Sequence, residues 1–149
     1  MHADSPCPVA RSADLLGDRW ALLVIRDAFD GVSRFGDFQR SLGAARNILS
    51  DRLRRLVEAG ILQLQPASDG SAYQEYVLTA AGQALFPVLV ALRQWGERHR
   101  FGADEAHSQL IESSTRRPLP YMQPRGRDGR PLQAAATRVR KLRDDGHSA

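Results

Sequence analysis

The sequence predicts a mainly α-helical domain with one small β hairpin, an α+β arrangement, on the strength of three observations. Two helical stretches are joined by a tight turn at Gly43-Ala44-Ala45. A turn of about three residues containing glycine is the spacing of a helix-turn-helix. Directly afterwards, two short strand-like segments flank an Asp-Gly pair, which indicates a hairpin. Helical stretches before and after complete the pattern of a winged helix-turn-helix.

Length and composition set the limits of this prediction. The 149 residues, 42% of them hydrophobic and 26% charged, are enough for one domain with a real core. This balance excludes global disorder, and the longest apolar run, over 21–25, is far shorter than the about 18 residues of a membrane span. The first residues show no secretory signal, and a single cysteine allows no intrachain disulfide. We therefore expect a cytoplasmic protein.

Composition also divides the chain. Apolar periodicity is dense from Pro8 to about Phe101, whereas residues 114–131 are rich in arginine, proline and glycine. We expect a winged helix-turn-helix domain for DNA binding and dimerisation over 7–101 and an extension over 102–140. Short strands are expected within that extension, over about 108–132, followed by a disordered tail over 141–149.

The first elements are marked by their ends. A helical stripe from Val9 stops at Gly17, and Asp18 is a good N-cap for a second helix over 19–29. That second helix is apolar on most of its faces, so we expect it to be buried all round at the centre of the fold. A third helix follows over about 34–43.

The later elements have clear signals too. The helix from Arg46 to Ala59 carries an inward stripe and is closed by Gly60. The stripe consists of Leu49, Leu53, Leu56 and Val57. After the hairpin, Thr79 is expected to cap one last long helix, which Pro87 should kink because proline cannot donate to the carbonyl four residues back.

The outward face of the helix after the turn is the candidate DNA-reading surface. It offers short polar groups near its start and arginines further along, which suits base edges and phosphates respectively. Arg34 and Arg40 on the preceding segment are expected to add phosphate contacts. The candidate residues on the helix itself are Asn47, Ser50, Asp51, Arg54 and Arg55.

A solvated face is the alternative, since Asp51 and Glu58 are interleaved with the arginines. The hairpin that follows at once favours DNA binding, because the composite of helix pair and hairpin is much rarer than either part. Net charge adds little to the argument. The chain carries +4 overall, but residues 1–102 hold 12 arginines against 11 acids.

An ordered series of motifs runs over about 7–101. It reads Cys7-Pro8-Val9, Leu15-Leu16-Gly17-Asp18-Arg19-Trp20, Ile25-Arg26-Asp27, Arg34-Phe35, Leu49-Ser50-Asp51-Arg52-Leu53-Arg54-Arg55-Leu56, Glu58-Ala59-Gly60-Ile61, Glu75-Tyr76-Val77-Leu78-Thr79-x-x-Gly82 and Trp95-Gly96-x-x-His99. This series resembles the HxlR-type regulators, which are near the MarR-like winged-helix repressors. The resemblance implies a bacterial transcription factor, a repressor or an activator, that binds double-stranded DNA as a homodimer. Two-fold symmetry then predicts a pseudo-palindromic operator with half-sites about one helical turn apart.

The resemblance also implies that the first and last helices build the dimer, through Leu15, Leu89, Leu92 and Trp95. Two departures stand out. Ala44 and Ala45 occupy the places where the family often has Ile-Ser, so the recognition helix lacks a side-chain cap, worth about 1 kcal/mol. The hairpin contains no arginine, so the wing should add little to the salt dependence of DNA binding.

Cys7 aligns with the cysteine that several HxlR-type proteins use to sense quinones, aldehydes or oxidants. With Pro8 at the first helical position, Cys7 lies at the N-cap, where the helix dipole favours a thiolate. An inert thiol in the dimer seam is the alternative, and both interpretations stay open. The sequence thus leaves room for a small-molecule or electrophile effector.

Catalytic and metal-binding motifs are absent from the sequence. It contains no nucleophile elbow, P-loop or dinucleotide fingerprint, and its four histidines have no metal spacing. We expect no enzyme activity, cofactor or metal. The rival to DNA binding is a winged-helix module that binds another protein, which the near-neutral core and the arginine-free wing make conceivable.

Overall fold

The computed structural model describes residues 2–142, which fall into two units that divide at Leu89 and Val90. The two helices of the predicted helix-turn-helix and a hairpin lie in the first unit. The elements are α1 (Pro8–Leu16), α2 (Arg19–Phe29), α3 (Phe35–Leu42), α4 (Arg46–Glu58), β1 (Leu62–Pro66), β2 (Gln74–Leu78), α5 (Ala80–Gln83), α6 (Phe86–His99) and a short 3-10 helix (Ala134–Ala136). The chain is thus mainly helical with a small β hairpin, as predicted.

The caps of the first two helices follow the sequence signals. Cys7 is the N-cap of α1, with Pro8 in its first turn, and the backbone N–H of Gly17 closes the helix on Ala13. The Asp18 side chain caps α2 by accepting hydrogen bonds from the backbone N–H groups of Trp20 and Ala21, at 2.7 and 3.1 Å. These two orphan donors are thereby satisfied, which fixes where α2 begins.

Helix α2 lies at the centre of the first unit, where it packs against α1, α3, α4 and β2. Ala21, Val24 and Ile25 are buried in the core. The expectation that α2 is buried all round is nevertheless wrong, because Leu22 is only half-buried and Arg19 is exposed. The neighbouring elements cover only one broad side of α2. Apolar residues outside that side, such as Leu22, are therefore only partly buried.

The hairpin confirms the strand prediction. Strands β1 and β2 pair antiparallel from Leu62 opposite Leu78 to Pro66 opposite Gln74. Gly70 adopts a left-handed backbone conformation at the tip, with φ of 76°, which glycine tolerates without strain. The backbone N–H of Tyr76 donates to the carbonyl of Ser33 at 2.7 Å, so the hairpin is tied to the loop before α3.

The segment after the hairpin differs from its prediction. Thr79 caps the helix that follows, accepting from the Gly82 N–H, but that helix is the short α5. The single kinked helix is wrong: the chain breaks at residues 84–85, and α6 starts anew. Pro87 lies in the first turn of α6, where its missing N–H is not needed, so a break replaces the kink.

The second unit combines most of α6 with the extension. The extension contains two isolated antiparallel bridges, Ile111 with Pro118 and Arg125 with Pro131, in place of longer strands. Prolines are frequent here and cannot donate to a ladder, which keeps the pairing short. The side-chain amide of Gln94 in α6 donates to the carbonyl of Pro120 and accepts from the N–H of Met122, at 3.0 and 2.8 Å.

Within residues 2–142, no helix has the length and apolarity needed to cross a membrane. The expected disordered tail over 141–149 lies, from residue 143 onward, outside the described residues.

Candidate nucleic-acid interface

The helix-turn-helix is built by α3, its turn and α4. Gly43 ends α3 in the left-handed conformation, with φ of 62°, and lets the chain reverse direction. Helix α4 starts after Ala45 with no side-chain cap, as the sequence predicts. Leu49, Leu53 and Leu56 bury its inner side completely, which fixes the direction of its outer side.

The outer side of α4 presents the predicted polar set. Asn47 and Ser50 are exposed in its first turns, and Arg54 and Arg55 are exposed further along. Asp51 is only half-buried and lies between them. The short polar groups thus precede the long cations along the helix, an order that suits base edges followed by phosphates.

The cations of this face are already paired. Asp51 accepts hydrogen bonds from Arg54 at 2.7 Å and from Arg52 at 2.6 Å, and it forms an ion pair with Arg55 at 3.0 Å. Glu58 holds the other terminal nitrogen of Arg54 at 3.0 Å. The hydrogen bond from Arg54 is the largest cause that lowers the pKa of Asp51. Any DNA contact by these arginines therefore competes with a carboxylate on the same helix.

Arg52 has a role that the sequence did not reveal. Its guanidinium donates to Asp18 at 2.9 Å and so joins α4 to the N-cap of α2. This hydrogen bond is the largest cause that lowers the pKa of Asp18 and raises the pKa of Arg52. The partners are 34 positions apart, and no spacing pattern signals such a pair. The tie supports the orientation of the outer face.

Arg34, predicted as a phosphate contact, is engaged by the wing. Its guanidinium donates to Asp69 at the hairpin tip and lies 5.2 Å from the ring centre of Tyr73. The backbone and side chain of Ser71, followed by Arg34, lower the pKa of Asp69 to about 2. Arg34 therefore fixes the wing beside α3, whereas Arg40 is exposed and pairs with Asp37.

An open groove of about 780 Å³ runs between α3, the start of α4 and the hairpin. Three arginines line it: Arg34, Arg40 and Arg46. Sequence analysis missed Arg46, although its place at the first position after the turn was a usable signal. Its guanidinium lies 5.0 Å from the ring centre of Phe35, so this cation stands at the groove wall.

The predicted dimer residues fall into two groups. Leu15 and Leu89, in the first unit, are half-buried against the core. Leu92 and Trp95, in the second unit, are exposed by 47% and 58% on α6. Of the four predicted dimer residues, only Leu92 and Trp95 therefore expose a large apolar side chain in the single chain.

Cys7 is exposed at the start of α1. Its backbone N–H donates to the Ser5 hydroxyl at 3.1 Å, and Arg11 donates to the Ser5 carbonyl at 2.6 Å. The side chain of Cys7 is therefore accessible to small reagents. Within residues 2–142, no group of three or more histidine, cysteine and acidic side chains could hold a metal ion.

Comparisons with known proteins agree with this geometry. The model of the HxlR-like helix-turn-helix family matches residues 15–103. The uncharacterized HTH-type transcriptional regulator Rv3095 of Mycobacterium tuberculosis is 48% identical over 91 residues, which cover 61% of this chain and 58% of that protein. The match thus spans little more than half the length of this relative.

Solved structures extend the comparison to the second unit. The crystal structure of PA1607 superposes with a TM-score of 0.90 and 53% identity, covering 95% of this chain and 99% of that one. The redox regulator HypR in its reduced form gives a TM-score of 0.58 at 29% identity, covering 63% of this chain and 94% of that one. The extension is thus shared with PA1607.

Proposed function

Because the chain belongs to the HxlR-like helix-turn-helix family of transcriptional regulators, we propose that it regulates transcription by binding a specific sequence of double-stranded DNA. Helix α4 would enter the major groove, and Asn47, Ser50 and Arg54 would reach base edges. Arg40, Arg46 and Arg55 would contact phosphates. Such a protein works in the cytoplasm, where bacterial DNA lies.

The observation that carries this proposal is the outer face of α4. Its apolar side is locked into the core by Leu49, Leu53 and Leu56, so the polar side has a fixed direction. Recognition depends on such rigid presentation, since a loosely held helix would lose side-chain and helix entropy on binding. The groove beside it adds Arg40 and Arg46 where a DNA backbone would run, while Arg34 is held by Asp69 of the wing.

We further propose that two copies act together. The exposed side chains of Leu92 and Trp95 on α6 support this, because large apolar groups at helical spacing usually find a partner. Leu15 and Leu89 are proposed as minor contributors, since much of each is already covered. A homodimer would bind two half-sites of a pseudo-palindrome about one helical turn apart.

A signal is proposed to act on the dimer geometry. An effector, or modification of Cys7, would favour a state in which the two recognition helices no longer match the half-site spacing. The exposure of Cys7 at a helix N-cap supports a reactive thiol, and the similar protein HypR is named a redox regulator. An inert thiol is the alternative, and mass spectrometry after oxidant or quinone treatment separates the two.

The deciding experiment is a salt-dependent titration of the protein with the DNA that flanks its own gene. Shuffled DNA of equal length is the control, at about 0.15 M salt, where charge alone gives only weak binding. We expect a preference of about a thousandfold or more for the flanking DNA. Equal and weak binding to both duplexes would contradict the proposal.

The second candidate function is a protein-interaction module that does not bind specific DNA. One observation favours it: the arginines of α4 are paired with Asp51 and Glu58, which lowers their attraction for phosphates. This candidate predicts weak binding that is nearly independent of salt for every duplex. The same titration therefore separates the two functions.

A further inference from the structure

Asp51 lies at the centre of the cation network on α4. One of its carboxylate oxygens, Oδ1, accepts a hydrogen bond from Arg54. The other, Oδ2, accepts from Arg52 and forms an ion pair with Arg55. The side chain is 29% exposed, whereas Arg54 is 59% exposed. The carboxylate is therefore set back from the surface, and three guanidinium groups already surround it.

This occupancy changes the role that the sequence suggested for Asp51. A carboxylate reads DNA by accepting from the amino group of cytosine, and it needs a free oxygen for that. Asp51 already accepts from two guanidinium groups and is ion-paired with a third, and it would be repelled by any nearby phosphate. A direct base contact by Asp51 is thus disfavoured. Its contacts with the arginines of α4, in contrast, are present before any DNA binds.

Two physical effects follow for Arg54. The guanidinium is held between Asp51, three residues before it, and Glu58, four residues after it. A side chain that is already oriented loses less rotamer entropy when it meets a base. The negative charge of Asp51 also offsets part of the attraction between α4 and any DNA backbone, whatever its sequence.

We propose that Asp51 is a specificity-determining positioning residue, which orients Arg54 and Arg55 and suppresses sequence-independent binding. This inference rests on the proposed function, since it concerns the ratio between specific and non-specific DNA affinity. Asp51 would raise specificity in two ways: it fixes the geometry of the two arginines, and it reduces the positive charge on the outer side of α4.

The test begins with the wild-type protein and a pool of random duplexes, from which the most strongly bound sequence is selected. Its affinity and that of a shuffled duplex are then measured from about 0.05 to 0.2 M salt for each variant. In Asp51→Asn, we expect tighter binding to shuffled DNA and a salt slope steeper by about 0.9, one additional phosphate contact. The specificity ratio should fall about tenfold.

Glu58→Gln is the matched control, because it removes the same charge from the same helix and leaves the bond between Arg54 and Asp51 intact. The glutamine oxygen can still accept from Arg54, so that side chain stays held on both sides. We expect a similar change of salt slope but a specificity ratio within about twofold of the wild type. Asp51→Glu, which restores the charge, should recover most of the ratio. Thermal unfolding of each variant verifies that α4 remains folded.

The outcomes are distinct. A wild-type protein that prefers no sequence in the pool would overturn the proposed function, and this inference with it. A specific wild-type protein whose Asp51→Asn variant keeps its ratio within twofold would overturn this inference alone. So would an equal loss of ratio in Glu58→Gln, since that would reduce the role of Asp51 to net charge.

Discussion

At the scale of single residues, the first turn of α4 concentrates the proposed base recognition. Asn47 is exposed there, near the helix start, with Ser50 on the next turn. An asparagine side chain can bond to adenine through both its oxygen and its nitrogen, which distinguishes adenine from the other bases. Neither side chain supports the core, so replacement should alter DNA binding without altering the fold.

For Asn47→Ala we expect a loss of about 1–3 kcal/mol in binding to the preferred sequence and almost no change on shuffled DNA. Fluorescence anisotropy measures the two dissociation constants, one for the preferred sequence and one for shuffled DNA. Gln63→Ala, an exposed polar residue on β1, is the control and should keep the preference. Equal losses on both duplexes for Asn47→Ala would argue against base recognition.

Gly82 is required by close packing. A Cβ atom at this position would lie 2.3 Å from the backbone oxygen of Ile61 and 3.0 Å from a methyl group of Leu78. Because the backbone oxygen cannot move aside cheaply, Gly82→Ala should reduce the free energy of unfolding by about 1–3 kcal/mol. Chemical denaturation measures this loss.

The control for Gly82 is Gly36→Ala in α3. There a new Cβ would meet only the flexible end of Arg40, at 3.6 Å. Since alanine is the better helix former, we expect unchanged or higher stability, by up to about 1 kcal/mol. If the two alanine variants unfold at the same denaturant concentration as the wild type, the packing account of Gly82 is wrong.

At the scale of elements, the tie between α2 and α4 is the contact that places the recognition helix. Asp18 caps α2 and accepts from Arg52 of α4 with the same carboxylate. The pKa of Asp18 is lowered, chiefly by that hydrogen bond from Arg52. Ionised Asp18 therefore stabilises the folded state above its unfolded pKa of 3.8, and this contribution is lost as pH falls through the lower folded pKa.

The variant Asp18→Asn tests this tie. Asparagine caps helices as well as aspartate does, so the variant removes mainly the charge interaction with Arg52. We expect a stability loss of about 0.5–1 kcal/mol above pH 5 that shrinks toward zero below pH 4. Asp37→Asn, in the exposed pair with Arg40, should change stability less. A pH-independent difference for Asp18→Asn would contradict the ionic contribution.

The wing is an element whose position depends on α3. Arg34 donates to Asp69 at the hairpin tip, and Ser71 also bonds Asp69. The wing itself brings no arginine, so its contribution to DNA binding is expected to be steric and local. The cations beside it belong to the helix-turn-helix, at Arg40 and Arg46.

At the scale of the whole molecule, the proposed homodimer depends on α6. Leu92 is an exposed apolar residue there, and Leu92→Glu should place a charge in the proposed interface. We expect the dissociation constant of the dimer to rise at least about thirtyfold, the equivalent of ~2 kcal/mol. Analytical ultracentrifugation across a concentration series measures it.

Leu64→Glu provides the comparison, because Leu64 is exposed to a similar degree on β1, beside the proposed DNA groove. Its oligomeric state should match that of the wild type. If the double variant Leu92→Glu, Trp95→Glu remains a dimer at low concentration, α6 does not build the interface. The proposed two-fold arrangement on DNA would then need another contact.

Sequence by itself determined the order and type of the elements from α1 to the hairpin. Local rules were sufficient: Asp18 as a cap, the apolar stripe of α4, and the Asp-Gly turn each act over a few residues. The outward polar face of α4 also followed, because helical spacing alone assigns its side chains to a face.

Tertiary structure decided which charged groups meet. The bonds from Arg52 to Asp18 and from Arg34 to Asp69 join residues 34 and 35 positions apart, and no local pattern encodes them. The half-exposed state of α2 and the break before α6 were decided by packing and by the placement of Pro87. Such outcomes depend on which segments, distant along the chain, pack against one another. A single stretch of sequence does not carry that information.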